Sequence, residues 1–459
     1  MDKKTAMENL ARESFEKGGF NGAWLYAEKG EIVSSGALGF RDPENTQPIK
    51  EDTIFQLASV SKNFTAAAVM LLMRQGLLRA EDEITSFFPE LPYPGVTVRQ
   101  LLSHTSGIPD YFDDADWFIK IWKEEKRVPG NDEILRFLLE TEAKPYFAPG
   151  EGLRYSNTGY NLLALLVERL SGVPYEEFLQ KNIFEPAGMS ATRCCHIRRD
   201  GVPFENYAQA TVFEDGRYVA DVDSDEDGDV VAFDGLTGDD YVFTNIFDML
   251  RWDRALREGK VLTLAEQELM YTPAKCNNGE DAVYDEYEGM TIGYGFGWGT
   301  GRDEALGLIV SHSGGMPGVA TWFERFIDAD RTLVILINRD AEEYRAVAGF
   351  WNGLQLIARG KEPEPIRTIE EIAIKNPDKS KWESFCGKYE HPEDADFIVD
   401  EVWMQDGELH ARAIDEDGDE MSFRLYPIGE NEFGRKGGML KLTFGNGCVM
   451  YDDFTCKKL

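Results

Sequence analysis

An antiparallel β-sheet flanked by helices, followed by a small all-β C-terminal domain, is the α/β (α+β) fold class that three observations predict. Strand-like runs occur near the N-terminus and again around 305–338. The long stretch between them is helical in character, and beyond a Pro- and Glu-rich segment the chain turns to short alternating strands. At 459 residues the chain exceeds what one core ordinarily fills, so a large domain and a smaller one are expected.

Residues 20–27 and 31–40 are two apolar runs joined at Lys29-Gly30, which predicts a hairpin. Near the other end of the large domain, 305–310, 319–327 and 331–338 are rich in branched and aromatic residues, with Asp328-Ala329-Asp330 as a tight turn. Between them, 59–75 carries Phe64, Ala66, Ala67, Ala68, Val69, Leu71, Leu72 and Met73 with little polar relief. That pattern predicts a helix buried on most sides and stopped at Gly76. Helices are also predicted over 161–170, ending at Gly172, over 245–258, ending at Gly259, and over about 341–358. Gly360-Lys361-Glu362-Pro363-Glu364-Pro365 reads as a linker, so the expected division is a hydrolytic domain over 1–360, a linker over 361–380 and a β domain over 381–459. Within that tail, 409–414, 421–426 and 440–444 alternate like strands of a meander or small barrel, separated by turns at Asp417-Gly418, Glu430-Asn431 and Asn446-Gly447.

Lys and Arg total 48 against 83 Asp and Glu, a formal charge of −35 that repels phosphate backbones and anionic lipid surfaces. Nucleic acid and membrane are therefore excluded as expected partners. No window approaches the roughly 18 consecutive apolar residues of a membrane span, and no apolar stretch follows Lys3 and Lys4. Six cysteines without a C-x-x-C are too sparse for a disulfide scaffold. The expectation is a cytoplasmic protein with reduced thiols; composition sets no oligomeric state.

Three short motifs carry residues able to do chemistry. Ser59-Val60-Ser61-Lys62 opens the buried helix, where a spacing of three puts Ser59 and Lys62 one turn apart on one face, among free N–H groups that favour an oxyanion. A serine hydroxyl needs a base, and a buried lysine loses its proton more readily than an exposed one. Alone the motif says little, since S-x-x-K arises by chance about once or twice in a chain of this length. Tyr155-Ser156-Asn157, just ahead of the second helix, supplies a second acid or base and a group that both donates and accepts. His312-Ser313-Gly314-Gly315 closes a strand whose glycines let an extended substrate approach the sheet edge, with His312 as a polar contact.

In the order S-x-x-K, Y-x-N, H-x-G, the chain resembles the β-lactamase-related serine hydrolases, which include class C β-lactamases, D-alanyl-D-alanine carboxypeptidases, D-aminopeptidases and carboxylesterases. Residues 55–58, 98–107 and 184–189 resemble signature stretches of that family, and the likeness spans about 10–340. It implies a sheet flanked by helices with an all-helical lobe, an acyl-enzyme on Ser59, Lys62 and Tyr155 sharing proton transfer, Asn157 orienting the substrate, and the N–H groups of Ser59 and Gly315 as the oxyanion hole. The tail resembles the lipocalin-like β domain that some relatives carry. His312 stands where many relatives have lysine, which weakens the charge offered to a β-lactam carboxylate. The implied partner is a small-molecule or peptide substrate, with D-amino-acid peptides or small esters ahead of β-lactams and no cofactor required. The alternatives are a β-lactamase or penicillin-binding sensor of slow turnover, and a non-catalytic assembly protein on the same fold. A Ser-His-Asp enzyme is disfavoured, because no G-x-S-x-G occurs and His104 reads as a hydrogen-bonded loop residue.

One further run invites a ligand. Asp223, Asp225, Asp227 and Asp229, with Gly228 between the last two and Asp234 at the twelfth place, match an EF-hand-like calcium loop without convincing flanking helices; the alternative is a solvated acidic loop. Residues 415–420 read as a hairpin turn. Cys194-Cys195-His196 lacks zinc spacing and reads as structural.

Overall fold

The computed structural model describes residues 2–214, 216–224, 228–287, 290–390, 397–415, 420–445, 447–451 and 454–459. Its packing divides the chain into two compact units, one of residues 2–4 and 21–340, the other of residues 5–20 and 341–459.

An eight-stranded antiparallel sheet organises the larger unit. Its spatial order is Glu31–Leu38, Gly22–Glu28, Arg331–Ile337, Val319–Phe326, Gly307–Met316, Gly299–Asp303, Met290–Tyr294, Val283–Tyr287. The N-terminal hairpin lies beside the last strand of this unit, Gly22 opposite Ile337 and Leu25 opposite Val334, so the two ends of the unit meet in the sheet. The apolar runs of the sequence account for the hairpin and for the strands from Gly307 onward. They do not mark Val283–Tyr287, Met290–Tyr294 or Gly299–Asp303, whose segments mix glycines and acids among the apolar residues and whose strand pairing carries no local pattern.

Helices fill the stretch between. Lys62–Arg74 is buried from Lys62 through Leu72 and sits in the main core with Asn157–Ser171 and Ile246–Arg257. Glycines end the first two of these as expected, with Gly76 and Gly172 in the left-handed conformation at φ +74° and +75°. The helix predicted from residue 59 is shorter: Ala58–Ser61 is a separate 3-10 turn and the α-helix begins at Lys62. Val98–Leu102, Ala115–Lys120, Asn131–Glu140, Asn157–Ser171 and Tyr175–Leu179 supply the helical lobe.

In the smaller unit, Tyr344–Ala358 packs against the N-terminal helix: Ser14 Oγ donates to the Ala346 carbonyl at 2.7 Å, and the Phe20 and Phe350 rings lie 4.4 Å apart. Residues 361–380 include the capped turn Ile369–Ile372, with Ile366 and Ile369 buried. The tail forms two antiparallel sheets, one of four strands from Gly387 to Arg424 and one of five from Tyr426 to Lys457. Leu425 continues between them, donating its N–H to Leu409 at 2.8 Å, and a bridge from Tyr389 to Lys458 joins the first strand to the last around a core of Trp382, Val402, Leu409, Phe433, Leu442 and Phe444. The strands flanking the turn expected at 415–420 pair with each other; Asp417-Gly418 themselves lie outside the described residues.

Candidate active site

The short strand Phe55–Gln56 pairs with Val242–Thr244 and delivers the chain into the 3-10 turn that carries Ser59. Ala58 enters that turn at φ +47°, a left-handed conformation costing a non-glycine residue about 1–2 kcal/mol, and is fully buried. Ser61 steadies the turn by accepting the Val242 N–H at 3.1 Å. Ser59 is half-buried where its neighbours Ala58 and Val60 are buried.

Lys62 is fully buried at the start of its helix. Its Nζ lies 3.1 Å from Ser59 Oγ, 2.7 Å from Asn157 Oδ1 and 3.1 Å from the carbonyl oxygen of Asp239. It also stands over the rings of Tyr155, at 4.8 Å, and Tyr160, at 5.6 Å. Burial lowers its pKa from the ordinary lysine value, against the opposing charges of Asp239, Asp240 and Asp110. A proton shuttle beside a serine requires that balance: a cation held in place but easily neutralised.

Tyr155 and Asn157 arrive on the loop before Asn157–Ser171, whose cap is Ser156, its hydroxyl accepting from the Gly159 N–H. His104 fixes the loop from below: its Nδ1 accepts the Ser156 N–H at 3.1 Å, its carbonyl accepts from Arg154, and its ring packs 4.2 Å from that of Tyr155. Burial and then the Lys62 charge hold the His104 imidazole well below its ordinary pKa, which makes it a neutral support and not a base. The buried Tyr155 hydroxyl has no well-formed hydrogen bond. Burial pushes its pKa well above the usual tyrosine range; the Ser59 hydroxyl pulls it down and the neighbouring acids push it further up.

The strand Gly307–Met316 forms the opposite wall. A Cβ on Gly314 would lie 2.3 Å from the Leu57 carbonyl and 2.9 Å from the Ser59 nitrogen, so only glycine lets this strand approach the turn that carries Ser59. At Gly315 a Cβ would meet nothing within 4 Å, which leaves open space at the strand edge. His312 is buried behind that edge. Its Nδ1 donates to the Ser313 carbonyl at 2.5 Å and its Nε2 accepts from Tyr294 Oη at 2.7 Å, so both nitrogens are occupied by protein. Burial, and then Lys62, lower its pKa to about 3. His312 thus holds Tyr294 and the end of the strand through both ring nitrogens, with its pKa held below the ordinary imidazole value.

Ser59, Lys62, Tyr155, Asn157, Gly314 and Gly315 thus converge. Three acids that no motif signals join them. Asp110 accepts the N–H groups of Asn157 and Phe112, and burial raises its pKa to about 6. Asp239 accepts from Tyr111 Oη at 3.0 Å and Asn161 Nδ2 at 2.6 Å, and Asp240 accepts from the Tyr241 N–H and the Gln56 amide. Tyr284 and Tyr294 extend the aromatic wall, their rings 6.2 and 6.4 Å from that of Tyr155.

Of the acidic run expected to bind calcium, Asp225, Asp227 and the side chain of Asp229 lie outside the described residues. Asp223 is exposed in the turn Asp221–Ser224, whereas Asp234 is buried and accepts the N–H groups of Arg198 and Arg199 at 3.0 and 2.8 Å while facing the Arg198 guanidinium. Among the described residues no group of His, Cys, Asp and Glu is arranged to hold a metal. His196 is buried between the Asp234 carbonyl and Glu176, and Cys194, Cys195, Cys276, Cys386 and Cys456 stand outside any disulfide. No helix among the described residues is long and apolar enough to cross a membrane.

Comparison with known proteins places this geometry among relatives. The family model described as Beta-lactamase matches residues 7–356. The chain is similar to Penicillin-binding protein 4* of Bacillus subtilis (strain 168), 33% identical over 98% of this chain and 97% of that one. Among solved structures it is similar to the octameric penicillin-binding protein homologue from Pyrococcus abyssi, at TM-score 0.66 and 21% identity over 98% of both chains. A second is the D-amino acid amidase from Ochrobactrum anthropi SV3 complexed with D-phenylalanine, at TM-score 0.63 and 22% identity over 78% of this chain and 99% of that one.

Proposed function

The chain belongs to the Beta-lactamase family, as a serine hydrolase, and on that premise we propose that it cleaves a short amide or ester by acyl transfer to Ser59, acting on D-amino-acid amides and peptides or on small carboxylic esters. The observation that carries this reading is Lys62 Nζ, held 3.1 Å from Ser59 Oγ by Asn157 and the Asp239 carbonyl in surroundings that lower its pKa. Neutral Lys62 takes the hydroxyl proton as Ser59 attacks the carbonyl carbon. The N–H groups of Ser59 and Gly315 receive the oxyanion, and Tyr155, with Lys62 as its proton source, delivers a proton to the departing amine or alkoxide. Water then enters by the same relay and releases the acid. Asn157 keeps Lys62 aimed and offers its amide to the substrate.

The similarity to a penicillin-binding protein supports a second reading, in which a β-lactam acylates Ser59 and is released slowly. Neutral His312, with both nitrogens engaged, works against it, because no cation stands on that strand to meet the carboxylate of the antibiotic.

Steady-state kinetics on p-nitrophenyl acetate and butyrate, D- and L-alanine p-nitroanilide and nitrocefin, with wild type and Ser59→Ala, separate these readings. We expect turnover of an ester or anilide that Ser59→Ala abolishes. Nitrocefin as the preferred substrate would favour the second reading, and equal rates in wild type and Ser59→Ala would defeat both.

A further inference from the structure

Around the Lys62 cation stand three carboxylates, Asp110, Asp239 and Asp240, while the adjacent imidazoles of His104 and His312 are neutral. Two of the three are well served. Asp110 has the N–H groups of Phe112 and Asn157, and Asp239 has Tyr111 and Asn161. Asp240 is not: among the described residues, besides the Tyr241 N–H, it has only Gln56 Nε2, 3.3 Å from each carboxylate oxygen. Gln56 is itself 2% exposed, and its Oε1 is buried without a donor. An orphaned acceptor beside a poorly neutralised carboxylate costs the folded protein free energy until a donor arrives.

The position of this pair relative to the reacting atoms follows from its neighbours. Asp240 succeeds the residue whose carbonyl binds Lys62, and Gln56 lies three residues before Ser59. Gln56 Nε2 also touches Met316 Sδ at 3.0 Å, and Met316 follows Gly315 at the open strand edge. Asp240, Gln56 and Met316 thus cluster on the flank where the turn carrying Ser59 meets the end of the strand. The leaving group has to face Tyr155, the proposed acid, which leaves this flank to the acyl half of the substrate.

We infer that Asp240 and Gln56 form the subsite for a primary ammonium on the acyl half of the substrate, so that the enzyme selects amino-acyl amides or esters with a free amine. The inference rests on the acyl-transfer reading and narrows it. An ammonium has three donors and no acceptor, which matches two carboxylate oxygens and one amide oxygen. It also supplies the positive charge that the acids around Lys62 lack. Burial, and then the charge of Asp239, raise the pKa of Asp240 to about 6, as expected for a carboxyl group awaiting a cation.

The test compares kcat/KM for D- and L-alanine p-nitroanilide with that for their N-acetyl derivatives, in wild type, Asp240→Asn and Gln56→Met. A charge-assisted hydrogen bond predicts a wild-type preference for the free amine of about tenfold or more, cut about tenfold by Asp240→Asn and less by Gln56→Met. A wild-type ratio near one, or a ratio unchanged in folded Asp240→Asn, would overturn the inference. Failure of the acyl-transfer reading itself would show separately, as no adduct on Ser59 from p-nitrophenyl acetate. In that event calorimetric binding of D-alaninamide to Ser59→Ala decides: weakening on addition of Asp240→Asn supports the subsite, and absent or unchanged binding overturns it.

Discussion

At the scale of single residues, the account turns on one proton that Lys62 must be able to give up. Because burial lowers its pKa, kcat/KM rises with pH as Lys62 loses its proton, through an ionisation below the ordinary lysine value. Lys62→Arg keeps the charge but not the acidity, and we expect kcat/KM to fall by about 10³-fold or more with folding retained. Tyr155→Phe removes the hydroxyl without disturbing the ring stack on His104, so a loss of about 10²–10⁴-fold in kcat, with an unaltered Tm, is expected. The motif residues were legible because each chemistry needs its residue types at short spacing. Asp110, Asp239 and Asp240 were not: they come from turns distant in sequence, and only the fold brings them beside Lys62, while Gln56 lies next to the first motif but carries no signal of a polar role there.

Elements set the geometry that those residues exploit. Gly314 and Gly315 are adjacent in sequence yet should respond differently to alanine. At Gly314 the added Cβ would collide with the Leu57 carbonyl and crowd the Ser59 nitrogen, so acylation should be lost, whereas at Gly315 it enters open space and the rate of acylation by a small ester should drop far less. Stopped-flow measurement of p-nitrophenol release compares the two. Elsewhere the helix Ile246–Arg257 is clamped to the sheet by a buried ion pair, Arg325 Nε to Asp253 Oδ1 at 2.7 Å, with Tyr271 and Arg257 around it. Asp253→Ala strands a buried guanidinium and should destabilise the protein by about 3–5 kcal/mol in denaturant unfolding, while Asp253→Leu with Arg325→Met should recover most of that loss. Helices and apolar strands could be read from periodicity. Gly299–Asp303 and its two neighbours could not, because strands that extend an existing sheet edge need partners more than they need a pattern.

For the molecule as a whole, the acids around Lys62 weigh on stability. Asp240 has a folded-state pKa raised from 3.8 to about 6, so the folded state holds its proton more tightly than the unfolded chain does. The resulting stability is present below the unfolded value and is lost as pH rises through about 6. Asp240→Asn should therefore be more stable than wild type by about 1–3 kcal/mol at pH 8, and the difference should close toward pH 4, as read by Tm across that range. The same substitution should damage substrate selection, so that stability and selection trade against each other at this carboxylate. Large-scale architecture was the most legible level, since the order of strand-like, helical and strand-like segments followed by an alternating tail already implies a helix-covered sheet and a β meander. How the tail closes was not legible, because the bridge from Tyr389 to Lys458 joins residues with no local signal. Mass spectrometry of the intact protein during reaction with p-nitrophenyl acetate, followed by peptide mapping, tests the central claim most directly. The account predicts a single acetyl adduct on the peptide containing Ser59, absent in Ser59→Ala and slow to form in Lys62→Arg; an adduct on another residue, or one that persists in Ser59→Ala, would contradict it.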